Sequence, residues 1–174
     1  MTVYVDATTL IALGSVDALD LLKVLDSEIV ILDRISSEVT TEPARTALQR
    51  FREETDLGSP TAIDEGTVEQ AQTMLGEPGQ NGDVALIARV LAHDSDHIAV
   101  VSDDQRVRTL AQTLGATVTG TVGIVVRAVA AGRLTAGERK ELIRRLDSRG
   151  LHMTGELREQ ADRLITDAAA DDEP

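Results

Sequence analysis

Acidic residues follow two of the apolar segments that are predicted to be buried strands. The apolar residues 3–5 lead directly into Asp6, and the run Ile98–Val101 is followed, after one serine, by Asp103 and Asp104. A carboxylate at the end of a buried strand is unfavourable unless a partner charge or a metal holds it. Mg²⁺ prefers oxygen ligands at near-octahedral geometry, so carboxylates that meet without cysteine or histidine suit such an ion.

The neighbouring polar residues have ordinary structural explanations when each is taken alone. Glu38 fits a solvated helix residue, and Asp83 and Asp104 stand where helix caps are common. Thr8 suits two roles equally, either hydrogen bonding to Asp6 or a metal-bound water, or capping the helix that follows. Asp6 is the one acid for which a purely structural role is awkward.

Cysteine and histidine give no alternative site. The chain has no cysteine, which excludes thiolate metal sites and thiol nucleophiles. We predict that the three histidines lie at helix ends or on the surface and have no catalytic role; they are His93, His97 and His152.

The pattern of apolar residues predicts short strands that alternate with helices. The predicted strands are Val3–Asp6, Glu28–Leu32, Ile98–Val101 and Ala116–Thr119. The predicted helices are Ala18–Leu25, Ile35–Thr40, Ala44–Glu53, Glu65–Leu75, Asp83–Ala92, Gln105–Leu114, Val122–Ala131, Thr135–Leu146 and Gly155–Ile165. Continuously apolar strands of this kind predict a parallel sheet with helices on both faces, a three-layer α/β/α sandwich. Sites in such sheets form beyond the carboxyl ends of the strands, where Asp6 and the pair Asp103 and Asp104 are expected to converge.

The length of 174 residues is most simply one domain with a proper core. We place this domain at residues 1–166 and predict that residues 167–174 form an acidic, disordered tail. No apolar run approaches the ~18 residues that a membrane span needs, so we expect a soluble cytoplasmic protein without a membrane partner.

Four short motifs, in their order and spacing, resemble the PIN-domain nucleases. They are "VDAT" at Asp6, "ISSEVT" at Glu38, "NGDVALIA" at Asp83 and "VVSDDQRVRTLAQTLG" at Asp104. The resemblance implies that these four acids bind Mg²⁺ or Mn²⁺ for phosphodiester hydrolysis, with Asp103 as an alternative or fifth carboxylate. Thr8 and Thr121 are expected to support the same edge.

The C-terminal half is similar to a PIN subfamily related to the toxins of Vap-type toxin–antitoxin systems, so the similarity extends to about Ile165. The segments that carry this similarity are "GTVGIVVRAVAAGRL" and "LIRRLDSRGLHMTGELREQA". It implies an endoribonuclease that acts on RNA, either a toxin with an antitoxin partner or a stand-alone processing enzyme, and a homodimer. Two departures stand out. Such relatives usually carry a lysine before the glycine that is Gly132 here, whereas residues 129–131 of this chain are apolar. The third acid is Asp83, where glutamate is common in these relatives.

Two other functions agree with parts of the sequence. A PIN-fold binding or assembly protein with little turnover gains support from the net charge of −13, because negative charge opposes RNA binding. A phosphatase of the haloacid-dehalogenase type also has an aspartate after the first strand. Its chemistry needs a second aspartate two residues later, and that position is Thr8.

Charge is unevenly distributed along the chain. Residues 105–150 carry nine basic and three acidic side chains, a net charge of +6, so the remainder carries −19. We predict that Arg106, Arg144 and Arg145 contact RNA phosphates. The alternative for Arg144 and Arg145 is that they lie on a solvated helix face and pair with Glu141 and Asp147. Fifteen of the 17 basic residues are arginine, which is typical of halophilic proteins and also of arginine-rich codon usage in a GC-rich genome.

Overall fold

A four-stranded, all-parallel sheet forms the centre of the molecule. The computed structural model describes residues 1–93 and 97–149. The strands are β1 (Thr2–Val5), β2 (Glu28–Val30), β3 (Ile98–Val101) and β4 (Thr117–Thr119). Their order in the sheet is β2-β1-β3-β4, and in the central pair Val5 is aligned with Val101. The two central strands are almost completely buried, as continuously apolar parallel strands require.

Helices cover both faces of this sheet. They are α1 (Ala7–Ser15), a 3₁₀ helix (Leu19–Leu25), α2 (Asp33–Glu38), α3 (Ala44–Glu54), α4 (Glu65–Leu75), α5 (Gly82–Ala92), α6 (Gln105–Thr113), α7 (Thr121–Ala130) and α8 (Ala136–Ser148). Most contacts between helices fall within two sets, and α1 and α2 also contact each other across them. One set consists of α1, α3, α7, α8 and the 3₁₀ helix, and the other of α2, α4, α5 and α6. The predicted three-layer α/β/α fold is confirmed.

Helix α1 was not predicted. Its sequence continues the apolar pattern of β1 almost without a break, and Asp6 is the only local signal that separates the two elements. In the structure Asp6 has extended backbone angles and caps α1, so the predicted strand ends one residue earlier, at Val5. Helix α2 begins two residues earlier than predicted and ends at Glu38, and the predicted helix Gly155–Ile165 lies outside the described residues.

The turn between α4 and α5 determines where the third acid lies. Gly76 ends α4 in the left-handed region at φ 66°, a conformation that suits glycine. Asn81 then caps α5 by accepting a hydrogen bond from the Val84 amide, so Asp83 is in the first turn and is not the cap. Within residues 1–93 and 97–149, no helix is long and apolar enough to cross a membrane.

Candidate active site at the carboxyl edge of the sheet

Asp6 is the most deeply buried acid at this edge, with 1% of its surface exposed. Its Oδ1 accepts a hydrogen bond of 2.7 Å from the Ala7 amide at the start of α1. Its Oδ2 accepts hydrogen bonds from the hydroxyl of Thr8 at 2.7 Å and from the hydroxyl of Ser102 at 2.6 Å. These three donors are neutral, so they stabilise the carboxylate without cancelling its charge.

Ser102 connects Asp6 to the acidic pair after β3. The fully buried Ser102 hydroxyl donates to Asp6 and accepts a hydrogen bond of 3.1 Å from the Asp104 amide. Its carbonyl oxygen accepts from Nη1 of Arg108 at 2.9 Å, and its amide donates to the Thr119 carbonyl of β4. The role of Ser102 was not predicted, although a single hydroxyl between a buried strand and two acids was a usable signal.

Asp103 and Asp104 have different surroundings despite being adjacent. Both oxygens of Asp103 accept hydrogen bonds from Thr121, one from its amide at 2.8 Å and one from its hydroxyl. Asp104 caps α6, and the hydrogen bonds from the amides of Arg106 and Val107, at 2.8 and 3.0 Å, both go to its Oδ1. Asp103 therefore anchors the start of α7, whereas Oδ2 of Asp104 is not used by the cap.

Glu38 and Asp83 are brought together by the packing of α2 against α5. Glu38 is the last residue of α2, and its Oε1 accepts a hydrogen bond of 2.7 Å from the Gly82 amide. Asp83 is the next residue of α5, and its side chain is 24% exposed. The start of α5 therefore carries the third predicted acid and binds the carboxylate of the second through the amide of the preceding residue.

Two of the other acids act on the pKa of Asp83. Burial raises the pKa of Asp83, and the neighbouring carboxylates of Asp6 and Asp104 raise this pKa further. The guanidinium of Arg106, 3.4 Å from Oδ2 of Asp83, acts in the opposite direction. We call the side chains of Asp6, Glu38, Asp83 and Asp104 the acidic edge.

Arg106 lies beside the acidic edge. Its Nη2 donates a hydrogen bond of 2.7 Å to Oε1 of Glu77, in the turn before α5, and makes the longer contact with Asp83. About half of the Arg106 side chain is exposed. The predicted contact between Arg106 and RNA stays a prediction, but its guanidinium is next to the predicted metal ligands.

The other two predicted RNA contacts lie on α8. Arg144 and Arg145 are both exposed. Arg144 forms an ion pair of 3.1 Å with Glu141, one turn earlier on the same helix. An ion pair with Glu141 is what we expected if these arginines form a solvated helix face. RNA binding by either arginine stays a prediction.

The histidines are not involved in the described contacts of the acidic edge. His93 ends α5, and its Nε2 lies 3.1 Å from the hydroxyl of the buried Tyr4. His97 is exposed, and His152 lies outside the described residues.

The donor set suits a hard divalent cation. Carboxylate oxygens are the ligands that Mg²⁺ and Mn²⁺ prefer, and the described hydrogen bonds leave the charge of Asp6 without a neutralising partner. In the part of the chain that the structure describes, no three acidic or histidine side chains are already grouped closely enough to form a metal-binding cluster. The chemistry of the donor set therefore fits the ion.

Comparison with known proteins gives one match. The family model DUF3368, described as a PIN domain, matches residues 2–167. No curated protein and no solved structure gives a significant match to this chain. The matched range includes every residue of the acidic edge.

Proposed function

The chain belongs to the PIN-domain family, and from this premise we propose that it is a metal-dependent endoribonuclease that hydrolyses RNA phosphodiester bonds. PIN domains are in general nucleases that use divalent metals. The observation that best supports the proposal is the connection of Asp6 to Asp104 through the Ser102 hydroxyl, with both carboxylates close enough to Asp83 to raise its pKa. Like charges held together in this way favour a cation among them.

The residues proposed to hold Mg²⁺ or Mn²⁺ are Asp6, Glu38, Asp83 and Asp104. Asp103 is less suited, because both its oxygens accept hydrogen bonds from Thr121. When bound, the ion would activate water as the nucleophile and stabilise negative charge on the phosphate and the leaving oxygen.

The remaining residues of the site orient these acids. Thr8 and Ser102 hold Oδ2 of Asp6 from two sides, and the Ser102 hydroxyl also receives the Asp104 amide. A carboxylate held by several donors cannot rotate freely, which keeps its orientation suitable for metal binding. Thr8 in addition accepts a hydrogen bond of 3.2 Å from the Asp103 amide, which connects the start of α1 to the loop after β3.

The decisive experiment is an RNA-cleavage assay with added Mn²⁺ that compares the wild type with Asp6→Asn. This substitution removes a charge but preserves shape, so we expect cleavage to be abolished while the protein stays folded. Asp20→Asn is the matched control, because Asp20 is exposed and pairs with Lys23 in the 3₁₀ helix. Activity of Asp6→Asn near that of the wild type would refute the proposed site.

A binding or assembly protein with the same fold is the second candidate, favoured by the net charge of −13. Under this proposal the wild type would not cleave RNA with Mn²⁺ at any salt concentration, although it would still be folded. Cleavage that chelation abolishes would reject this candidate.

We also propose the biological role implied by the Vap-type similarity, a toxin ribonuclease that forms a homodimer and is neutralised by an antitoxin protein. Expression of the wild type should then arrest growth, expression of Asp6→Asn should not, and co-expression of the adjacent gene product should restore growth. Cleavage of RNA without growth arrest would instead indicate a stand-alone processing enzyme. Light scattering would test the dimer.

A further inference from the structure

Gly82 makes a close contact with the carboxylate of Glu38. The Gly82 amide donates a hydrogen bond of 2.7 Å to Oε1 of Glu38. A Cβ atom added at position 82 would lie 2.7 Å from Oε2 and 2.9 Å from Oε1 of Glu38. Real Cβ atoms essentially never come within 3.0 Å of another heavy atom in this way, so a side chain at position 82 and the observed position of Glu38 exclude each other.

This glycine is not needed for its backbone conformation. Its φ is not positive, in contrast to that of Gly76, which ends α4 in the left-handed region. Gly79, in the same turn, also lacks a positive φ, and a Cβ atom there would meet nothing within 4 Å. The requirement for glycine at position 82 therefore comes from Glu38.

The contact also compensates an electrostatic disadvantage. Glu38 lies at the carboxyl end of α2, where the free carbonyl groups repel a carboxylate. The first amides of α5 have no acceptor within the helix and lie at the positive end of its 11 residues, and the Gly82 amide, which donates to Glu38, is one of them. Asp83 follows directly, so the same backbone segment determines where the second and third acids lie.

We propose that Gly82 is a positioning residue of the acidic edge, whose missing side chain lets Glu38 dock on the first turn of α5 beside Asp83. This inference rests on the proposed function, because it gives the docked Glu38 the role of a metal ligand. The clash would involve the far end of a flexible side chain. Gly82→Ala should therefore displace the Glu38 carboxylate and leave the fold intact.

The test is a double-variant cycle measured by Mn²⁺ binding in calorimetry. We expect Gly82→Ala to weaken Mn²⁺ binding by at least about tenfold, as loss of a residue that orients a ligand typically does. Gly79→Ala is the matched control and should bind Mn²⁺ like the wild type. In a Glu38→Asp background the side chain at position 38 is shorter by one methylene, so its carboxylate no longer reaches position 82. Adding Gly82→Ala in this background should therefore change the Mn²⁺ affinity less than about twofold.

A second measurement does not depend on metal. A crystal structure of metal-free Gly82→Ala should show the Glu38 carboxylate away from the amide of residue 82, with α5 unchanged and the melting temperature close to that of the wild type. An equal loss of affinity in both backgrounds, or an undisturbed Glu38 in that structure, would overturn the proposal. If the wild type binds no Mn²⁺, the metal-ligand role fails with the proposed function, while the structure still tells whether Gly82 positions Glu38.

Discussion

The hydroxyl of Ser102 donates a hydrogen bond of 2.6 Å to Oδ2 of Asp6, and both side chains are almost completely buried. The two residues come from adjacent strands of the sheet, since Asp6 follows β1 and Ser102 follows β3. A buried carboxylate depends strongly on each donor, because loss of one leaves part of its charge uncompensated.

Ser102→Ala should lower the free energy of unfolding by about 1–3 kcal/mol, the usual cost of leaving a buried polar group unsatisfied. Urea unfolding at neutral pH measures this loss, and Ser37→Ala, at an exposed serine, is the control. In an Asp6→Asn background the loss should be smaller, because no charge remains to be compensated. Equal losses in both backgrounds would show that the hydroxyl does not act through Asp6.

Substitutions at Asp103 and Asp104 should have different effects, one mainly on stability and the other mainly on metal binding. We expect Asp104→Asn to reduce Mn²⁺ binding and cleavage more than Asp103→Asn, because asparagine preserves the cap of α6 but removes the charge. Asp103→Asn should instead lower stability by about 1 kcal/mol, because the hydrogen bonds from Thr121 then go to a neutral amide rather than to a charged carboxylate. Calorimetry with Mn²⁺ and urea unfolding measure the two effects, and the reverse ranking in metal binding would make Asp103 the fourth acid.

Much of this site could be predicted from the sequence, because local signals determine the strands and their ends. Short runs rich in β-branched residues such as Ile98–Val101, bounded by polar residues, favour a buried strand, and the acid after each run follows from the order of residues. The roles of Asp103 and Asp104 could not be separated, because the partner of Asp103 is Thr121, 18 residues further along the chain. The need for glycine at position 82 could not be predicted either, because Glu38 is 44 residues away in the chain and reaches position 82 only when α2 packs on α5.

The raised pKa of Asp83 predicts how stability depends on pH in the absence of metal. The folded state binds the Asp83 proton more tightly than the unfolded state, in which the pKa is about 3.9. The contribution of Asp83 to stability is therefore most favourable below that pH, and it declines as pH rises through the raised folded pKa.

The Asp83→Asn variant should not show this decline. Its free energy of unfolding should therefore increase relative to that of the wild type as the pH rises from about 3.5 to about 7, a range that includes the unfolded pKa. Urea unfolding in EDTA across this range measures the difference. Parallel curves for the two proteins would contradict the assignment. Asp33→Asn, at a side chain that is 96% exposed, serves as the control.

Arg106 should compete with metal for Asp83. Its guanidinium lies 3.4 Å from Asp83, so Arg106→Gln removes a positive charge from the acidic edge. We expect Mn²⁺ affinity without RNA to rise about two- to fivefold, because exposed ion pairs contribute up to ~1 kcal/mol. Glu77→Gln should have the opposite effect, because Arg106 then loses its shorter contact and remains available to Asp83. Unchanged Mn²⁺ affinity in both variants would place Arg106 outside the electrostatics of the site.

The arginines of α8 test how a protein of net charge −13 binds RNA. If Arg144 and Arg145 contact phosphates, the double variant Arg144→Ala with Arg145→Ala should weaken RNA binding and leave Mn²⁺ affinity unchanged. Two lost contacts should reduce the slope of log affinity against log salt by about 1.4 to 1.8. Fluorescence anisotropy over a range of KCl concentrations, in EDTA to prevent cleavage, measures both quantities.

Arg45→Ala is the control for this variant. Arg45 pairs with Glu42 at the same three-residue spacing as Arg144 with Glu141, and it lies outside residues 105–150, which carry the net charge of +6. It should leave the salt slope unchanged. If the double variant also keeps the slope and the affinity of the wild type, the two arginines form a solvated helix face, in which each pair contributes only ~0.3–0.5 kcal/mol. The cations that hold RNA must then lie elsewhere, and Arg106, beside the acidic edge, becomes the next residue to test.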